Sequence, residues 1–599
     1  MGLEPPLHSA RSAPSRRRWY LGIDFGTVGI AATLLDRDTC QLYGISWQGI
    51  GPDGTSVPLL RLPAIAYVST DQLKQAPEPP MAIGDLALKA RTAMADHPAA
   101  GLLLSNLRHC LTITIPYYSP QKRTWEPVLQ WSDTQWIPLV WVQQAVTALL
   151  GSLNGKLPDT PATATAEGLS PQDFQTALTE LTGVILGCPT GWSDTYRFNL
   201  RESVLAAGLV TTPGQIFFVE DAIAALLYNL PATSELASGQ IPPVPLQGNT
   251  FVLNAGATFT ELLLVDLPPD PQTLSREDLA LRSIAYGGNG IDQDIICQLL
   301  YPSAWGWRNL GTPSLDLPLP GEPDLPTRYR FQQRLRSSDL GQNLVRIARQ
   351  LKLTLQQEDT ASFSLNDRQW SVSQQDFYSR VMAPYIQTIN REINALLAQT
   401  SMTVQSIRQV LCTGGMAANP AIAHWLKQKF PNAALLQDSS HSKAASRRIA
   451  TGLAKLPIYP QLLDASRHQY DDYFLLRELL RTLPDDPLPL GRILQLLEMQ
   501  GIHPQQCQPA ILRLLDGQLP VGLVPVKADL VLLAPDSKRN EEYQALMSAP
   551  AFFQEGNQVY RLNPELGDDL WHFLSTILDE THQTLDQPLS NELGVEIAI

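Results

Sequence analysis

The chain has 599 residues, of which 44% are hydrophobic and 17% are charged, and its formal net charge is −14 at pH 7. This length allows several domains around a large core, and the composition is typical of a soluble globular protein. The negative charge disfavours nucleic acid as a partner, and no apolar run reaches the roughly 18 residues that a membrane span needs.

The N-terminus and the cysteines both indicate a cytoplasmic protein. Residues 1–18 contain three prolines and the run Arg16-Arg17-Arg18, which predicts a disordered basic tail without the apolar segment of a signal peptide. The six cysteines are scattered and include no C-x-x-C pair. This disfavours a disulfide framework or a zinc site and fits a reducing compartment.

The stretch Trp19–Asp36 is predicted to be the element around which the chain is organised. Alternating apolar residues flank Asp24-Phe-Gly-Thr27, a pattern typical of two short strands joined by a tight turn. Backbone N–H groups in such a turn can point at a phosphate. The Thr27 hydroxyl can add a bond, and the Asp24 carboxylate can hold a hydrated Mg²⁺. Taken alone, the pattern fits an ordinary hairpin at least as well as a phosphate site.

A second stretch, Thr250–Val265, repeats this architecture about 230 residues later. It again predicts a strand, a turn of small residues from Asn254 to Thr260, and a second strand. Two similar hairpins, each followed by predicted helices and strands, indicate a duplicated α/β unit with a cleft between its halves.

The elements between and after the hairpins alternate between strands and helices. Strands are predicted at 183–190, 215–219 and 409–413, and helices at 193–207, 220–230, 338–355, 374–399 and 446–456. Tyr301–Tyr329 is dense in proline and tryptophan and is predicted to be an irregular insertion. Gly414-Gly415 predicts a turn in which the backbone can approach a ligand closely.

The order of six motifs in these elements resembles that of the actin-like ATPases, and most closely that of the DnaK-type (seventy-kilodalton heat-shock) chaperones. The resemblance covers residues 19–457 and implies a duplicated actin-like ATPase fold, with lobes at about 19–230 and 231–457. In that family the lobes close on ATP or ADP with Mg²⁺. The six motifs are Asp24 to Thr27, Ala82 to Asp85, Val219 to Tyr228, Asn254 to Glu261, Gly287 to Asp294 and Thr413 to Pro420.

The resemblance also implies roles for individual residues. Asp24 would hold the metal through its water shell, and Glu220 would orient the attacking water. Arg108 would replace the lysine that polarises the γ-phosphate, and Asn254 would replace a second metal-facing carboxylate. Contacts to the nucleotide would come from Gly26, Thr27, Gly256, Thr260, Gly287, Gly288, Lys352, Gly414 and Gly415.

Some of these residues have plain structural alternatives. Glu220 at a helix N-terminus can simply complement the helix dipole. Lys352 on an amphipathic helix can be a solvated side chain, and Asp292 and Asp294 can be surface or capping residues.

The departures from the family pattern bear on catalysis. An amide at Asn254 neither presents a charge to Mg²⁺ nor accepts a proton, and removing one such group lowers rates by about 10²–10⁴. Thr258 replaces a glycine of the second turn, and Leu353 and Ala418 replace arginines beside the adenine. These changes predict that nucleotide binding survives and that fast hydrolysis does not.

Residues 458–599 differ from the peptide-binding domain that follows in the chaperones. They contain nine basic and twenty-one acidic residues, so nearly all of the excess negative charge is here. The pattern predicts helices rather than eight short strands. A helix-turn-helix around Gly501 is an alternative, but the charge disfavours DNA. An acidic, mostly helical C-terminal domain that docks a partner protein is favoured.

Two main hypotheses follow for function. The first is a DnaK-like ATP-binding protein, a chaperone-like nucleotide switch with slow or impaired hydrolysis that acts on a protein partner. The second is a non-catalytic pseudo-ATPase scaffold. Asp24, Thr27 and Glu220 favour the first hypothesis, whereas Asn254 and Thr258 favour the second. A sugar kinase of the same fold is a distant third.

Overall fold

The computed structural model of the chain describes residues 17–51, 55–69, 79–93, 101–156, 164–232, 246–300, 317–365, 368–437, 443–590 and 593. They form a mixed α/β structure with two large sheets and several small ones. The first sixteen residues of the predicted basic tail lie outside the described ranges. Arg18, at its end, forms an ion pair with Asp38 (Nη2–Oδ1, 2.7 Å). Within the described ranges, no helix combines the length and the hydropathy needed to cross a membrane.

The first sheet contains the first predicted hairpin. Its main strands lie in the spatial order Ala164–Ala166, Gln41–Ile50, Gly29–Asp36, Trp19–Phe25, Leu181–Cys188 and Ile216–Glu220. The first three strands of the chain pair antiparallel with each other. Leu181–Cys188 then pairs in parallel with Trp19–Phe25, and Ile216–Glu220 pairs in parallel with Leu181–Cys188. Both predicted strands of the hairpin are confirmed.

The second sheet contains the second predicted hairpin. Its strands lie in the order Ala280–Ile284, Thr260–Leu267, Gly248–Ala255, Gln409–Thr413 and Ala434–Gln437. Again three strands form an antiparallel meander, and two more add in parallel. Five strands of each sheet therefore share one order and one set of directions.

Two helices, which we call the crossing helices, lie between the sheets. Lys443–Ala454 packs on the first sheet and Asp221–Asn229 packs on the second, and one cluster of buried side chains joins both helices to both sheets. They touch through their backbones at Gly452, where an added Cβ would lie 1.8 Å from the carbonyl oxygen of Ala224. The crossing helices therefore set the spacing of the two sheets.

Further helices and short strands complete the two halves of the chain, and the short strands Ser56–Leu59 and Leu62–Pro63 pair with strands of the first sheet. The helices are Gly84–Ala93, Leu107–Cys110, Leu139–Gly151, Pro171–Thr179, Asp194–Ala206, Gly288–Ile295, Leu325–Arg336, Asp339–Thr354, Gln374–Phe377, Ala383–Thr400 and Pro420–Lys429. The short strands are Ser56–Leu59, Leu62–Pro63, Ile65–Ser69, Ala82–Ile83, Gly101–Ser105, Tyr117–Ser119, Thr124–Glu126, Val128–Gln130, Trp136–Pro138, Thr360–Leu365 and Arg368–Ser373.

The helix Leu325–Arg336 corrects the prediction of an irregular insertion over Tyr301–Tyr329. Residues 301–316 lie outside the described part, but the helix begins within the predicted insertion. Asp324 caps it by accepting a hydrogen bond from the backbone N–H of Thr327, and a proline lies in its first turn, where a missing N–H does no harm. The proline that indicated irregular structure in fact marks a helix start.

The C-terminal region is mostly helical, as predicted. Its helices are Ala465–Gln469, Asp472–Thr482, Leu490–Met499, Pro504–Leu515, Pro535–Lys538, Glu541–Leu546 and Pro564–Asp579, and its strands are Leu488–Pro489, Phe552–Gly556 and Val559–Leu562. Its core is continuous with Ile115, Tyr117 and Phe198 of the first half of the chain.

Buried charges also hold the C-terminal region on the helix Asp194–Ala206. Asp194 accepts a hydrogen bond from the backbone N–H of Asp472 (2.9 Å), and Arg201 pairs with Asp471 (3.5 Å). Glu202 accepts from the backbone N–H of His582 (2.9 Å). Apolar burial and these bonds together fix the C-terminal region on the helix Asp194–Ala206.

Candidate functional site

A cavity of about 1810 Å³ lies where the turns of the two hairpins face each other. We call residues 26–28 the first turn and residues 256–259 the second turn. The hydroxyl oxygens of Thr27 and Thr258 are 2.9 Å apart and therefore form a hydrogen bond between turns that lie 231 residues apart in sequence. The cavity extends from this contact between the two halves of the chain.

Most of the residues predicted for a nucleotide site line this cavity. They are Asp24, Gly26, Thr27, Arg108, Asn254, Gly256, Gly288, Lys352, Gly414 and Gly415. Leu353 and Ala418, which the resemblance predicts to lie beside the adenine, line it as well. The structure thus brings together residues from six separate segments of the sequence.

Three predicted site residues do not line the cavity: Glu220, Thr260 and Gly287. Thr260 is fully buried and donates its hydroxyl to the carbonyl oxygen of Tyr286 (2.8 Å). Gly287 packs beneath the second turn, because an added Cβ there would lie 2.5 Å from the carbonyl oxygen of Gly256. Thr260 and Gly287 therefore support the second turn rather than contact a ligand in the cavity.

Glu220 is engaged in an ion pair instead of facing the cavity. Its two carboxylate oxygens accept hydrogen bonds from Arg276 at 2.5 and 2.6 Å. Burial alone would raise the pKa of Glu220, but these bonds hold it below its usual value. The next residue, Asp221, is the carboxylate that lines the cavity. A second acidic residue directly after Glu220 was the signal available in the sequence.

Arg108 and Asp221 form a buried ion pair at the cavity wall. The guanidinium donates to the Asp221 carboxylate (2.8 Å), the carbonyl oxygen of Gly187 (3.2 Å) and the hydroxyl of Tyr196 (3.2 Å). Burial by itself lowers the pKa of Arg108, but the Asp221 carboxylate reverses this and keeps the pKa above its usual value. The arginine is therefore a permanent cation beside the turns.

Arg61 is a second cation at the turns, and sequence reasoning missed it. Its Nη2 lies 2.5 Å from Oδ2 of Asp24, and its Nη1 donates to the carbonyl oxygen of Ser446 (3.1 Å). No motif or spacing relates Arg61 to Asp24, which lies 37 residues earlier. The carboxylate expected to face Mg²⁺ is thus neutralised from within the chain.

Asn254 lies opposite a buried carboxyl group. It pairs with Glu261 across the second hairpin, its amide nitrogen lies 3.4 Å from Oε2 of Glu261, and its amide oxygen accepts from Thr413 (3.1 Å). Glu261 also accepts from the backbone N–H of Thr190 (2.7 Å). Burial and the charge of Asp221 raise the pKa of Glu261 to about 8.

The raised pKa of Glu261 predicts a specific pH dependence of stability. A carboxyl group whose folded pKa is above its unfolded value stabilises the fold at low pH, and this contribution disappears as the pH rises toward 8. Replacing Glu261 with glutamine removes the titration. Between pH 5 and 7, the free energy of unfolding of the wild type should therefore fall relative to that of the variant. The expected fall is up to about 1.4 kcal/mol for each pH unit.

Urea unfolding of both proteins across this pH range measures the difference. Parallel curves for the two proteins would contradict the assignment of a raised pKa to the buried carboxyl group of Glu261.

Lys352 also lines the cavity and is not a solvated surface residue. Its Nζ donates to the carbonyl oxygen of Gly288 (2.9 Å) and pairs with Asp292 (2.7 Å). Gly415 faces open space, with no atom within 4 Å of an added Cβ. The lining thus combines a fixed cation with an accessible backbone and the apolar side chain of Leu353, which is 65% exposed.

The Mg²⁺ expected from the resemblance does not fit the residues present. Asp24 is paired with Arg61, Asp221 is paired with Arg108, and position 254 is an amide. Across the described residues, no group of three or more His, Cys, Asp and Glu side chains could hold a metal ion. Guanidinium groups lie where ligands of a divalent cation were expected.

Comparison with known proteins does not extend these observations, since no protein-family model and no curated protein matches the chain.

Proposed function

We propose that the chain is an adenine-nucleotide-binding protein with a duplicated actin-like fold, related to the DnaK-type chaperones, in which nucleotide acts as a switch for a protein partner. The observation that carries the proposal is the hydrogen bond between Thr27 and Thr258, which places the two turns face to face at one cavity. Each turn follows the first strand of a sheet with the same strand order, as a duplicated nucleotide fold requires.

The dimensions and the lining of the cavity support a nucleotide as its occupant. Its volume of about 1810 Å³ exceeds the roughly 300–1,000 Å³ of common ligand pockets. The two turns and the cations Arg61 and Arg108 line it and suit phosphates. The Gly414-Gly415 backbone and Leu353 line it as well and suit a flat base.

Slow hydrolysis follows from the state of the carboxyl groups at the turns. Asp24 and Asp221 are held by arginines, and one oxygen of Glu261 accepts hydrogen bonds from the backbone N–H and the hydroxyl of Thr190. Asn254 cannot accept a proton. The three carboxyl groups are therefore engaged within the chain rather than free to activate a water, and general-base catalysis typically contributes about 10²–10⁴-fold.

The substitution Asn254→Asp tests this account of hydrolysis. It places a carboxylate directly across the hairpin from Glu261, whose raised pKa lets the two groups share a proton. Single-turnover hydrolysis of radiolabelled ATP should be slow in the wild type and about 10²-fold faster in the variant. Rapid turnover by the wild type, or equal rates in both proteins, would contradict the proposal that a missing base limits hydrolysis.

A route from the cavity to the C-terminal region runs through the helix Leu325–Arg336. Arg336 lines the cavity and lies over the ring of Trp131, with its guanidinium carbon 3.9 Å from the ring centre. From the same helix, Gln333 donates to the carbonyl oxygen of Val531 (2.9 Å) in the C-terminal region. A shift of the second half on nucleotide binding would therefore reach the acidic region, where we place the partner.

The scaffold hypothesis remains the second candidate because specific ion pairs favour it. Asp24 and Glu220 are both neutralised by arginines within the chain, so two groups that the chaperones use in hydrolysis are engaged elsewhere. On this hypothesis the fold is retained for protein binding alone, and the cavity takes up no nucleotide.

A further inference from the structure

The cavity is basic although the chain is acidic. Its lining includes eight basic residues and five acidic ones, whereas the whole chain has fourteen more acidic than basic residues. A cleft with an excess of one sign of charge raises the local concentration of oppositely charged ligands. The occupant is therefore expected to be an anion.

Arg61 is fixed directly against the first turn. Its guanidinium bonds Asp24 and the carbonyl oxygen of Ser446, and an added Cβ at Gly26 would lie 2.6 Å from its Nη2. The side chain is 35% exposed. Both terminal nitrogens of the guanidinium are thus anchored, and the side chain is still partly accessible at the cavity that it lines.

Arg108 is the complementary cation on the buried side. Its three hydrogen bonds to Asp221, Gly187 and Tyr196 fix its position, and it lines the same cavity as Arg61. A guanidinium presents several N–H donors in a plane that matches the oxygens of a phosphate, and such charge-assisted bonds are about twice as strong as neutral ones.

We propose that the cavity binds the phosphates of an adenine nucleotide directly on the guanidinium groups of Arg61 and Arg108, without a divalent cation. The inference rests on the proposed function and identifies the groups that neutralise its ligand. If no metal ion is bound, neither Asp24 nor residue 254 has to present a free carboxylate to one. The proposal thus explains the ion pair of Asp24 within the chain and the amide at position 254.

Calorimetric titration of ADP and ATP in EDTA and in Mg²⁺ tests the proposal. The dissociation constants of the wild type should agree within about threefold in the two buffers. Arg61→Met should raise the dissociation constant in EDTA by about tenfold or more. Arg61→Lys keeps the charge but lacks the planar guanidinium, so its dissociation constant should lie between those of the wild type and Arg61→Met. Arg539→Met, an exposed arginine away from the cavity, is the matched control and should bind as the wild type does.

Asp24→Asn separates this account from a metal site. If Asp24 only anchors Arg61, the variant keeps its affinity or binds more tightly, because a negative charge beside the phosphates is removed. Binding that requires Mg²⁺ and is lost in Asp24→Asn would overturn the inference and leave the proposed function standing. The absence of binding in both buffers, with circular dichroism showing a folded protein, would overturn the proposed function itself.

Discussion

Replacing Gly452 with alanine should lower the free energy of unfolding by about 3 kcal/mol. In most helix positions the same change is favourable by about 0.5–1 kcal/mol, because alanine has the higher helix propensity. At Gly452 the added Cβ would lie 1.8 Å from the carbonyl oxygen of Ala224 and 2.6 Å from its carbon. Both are backbone atoms of the other crossing helix, so no side chain can rotate away.

Gly491 provides the matched control, since it also lies in a helix and an added Cβ there meets no atom within 4 Å. Gly491→Ala should leave the urea midpoint unchanged or raise it, whereas Gly452→Ala should lower it sharply. Equal stability of the two variants would contradict a direct backbone contact between the crossing helices.

Replacing Arg108 with methionine should have the largest effect on the site. The change leaves the buried carboxylate of Asp221 without its cation, and breaking a buried ion pair from one side costs about 3–5 kcal/mol of stability. It also removes charge-assisted bonds to phosphate, each of about 1.5–3 kcal/mol, so affinity for ADP should fall roughly 10- to 100-fold. Urea unfolding and nucleotide titration measure the two effects separately.

The double variant Arg108→Met with Asp221→Asn distinguishes the two losses. Removing the unpaired charge should restore most of the stability, because the cost comes from an uncompensated buried carboxylate. Affinity for ADP should stay low, because the cation is still absent. Recovery of affinity together with stability would show that Arg108 acts only on the fold.

Local patterns in the sequence were sufficient to predict the two hairpins and most helices. Each hairpin has alternating apolar residues around a turn of small residues, so a short window contains the whole signal. The helix Leu325–Arg336 was missed because its start contains proline, which marks both irregular segments and first turns of helices.

The ion pairs that define the site could not be predicted, because their partners are far apart in sequence. Arg61 reaches Asp24 from 37 residues away and Arg276 reaches Glu220 from 56 residues away. Sequence reasoning therefore assigned Glu220 to the site although the adjacent Asp221 lines the cavity. At the end of a strand, one position along the chain changes the side of the sheet that a side chain occupies.

The packing of the C-terminal region on the helix Asp194–Ala206 could not be predicted from the sequence either. Asp194 and Arg201 lie on one helix, where charged residues usually indicate a solvated face. Both are buried against the C-terminal region. Only the tertiary structure supplies the partners that make such burial tolerable.

The most direct test of the central claim is a calorimetric titration of ADP and ATP into the wild type and into Gly415→Val. Gly415 lines the cavity, and an added Cβ there meets no protein atom within 4 Å, so the valine side chain should block the ligand and leave the fold intact. Gly491→Val is the matched control, because an added Cβ at Gly491 also meets no atom within 4 Å. We expect micromolar or tighter binding by the wild type and the control, and at least about tenfold weaker binding by Gly415→Val. No heat of binding up to millimolar nucleotide in the folded wild type, or unchanged binding by Gly415→Val, would contradict a nucleotide site in this cavity.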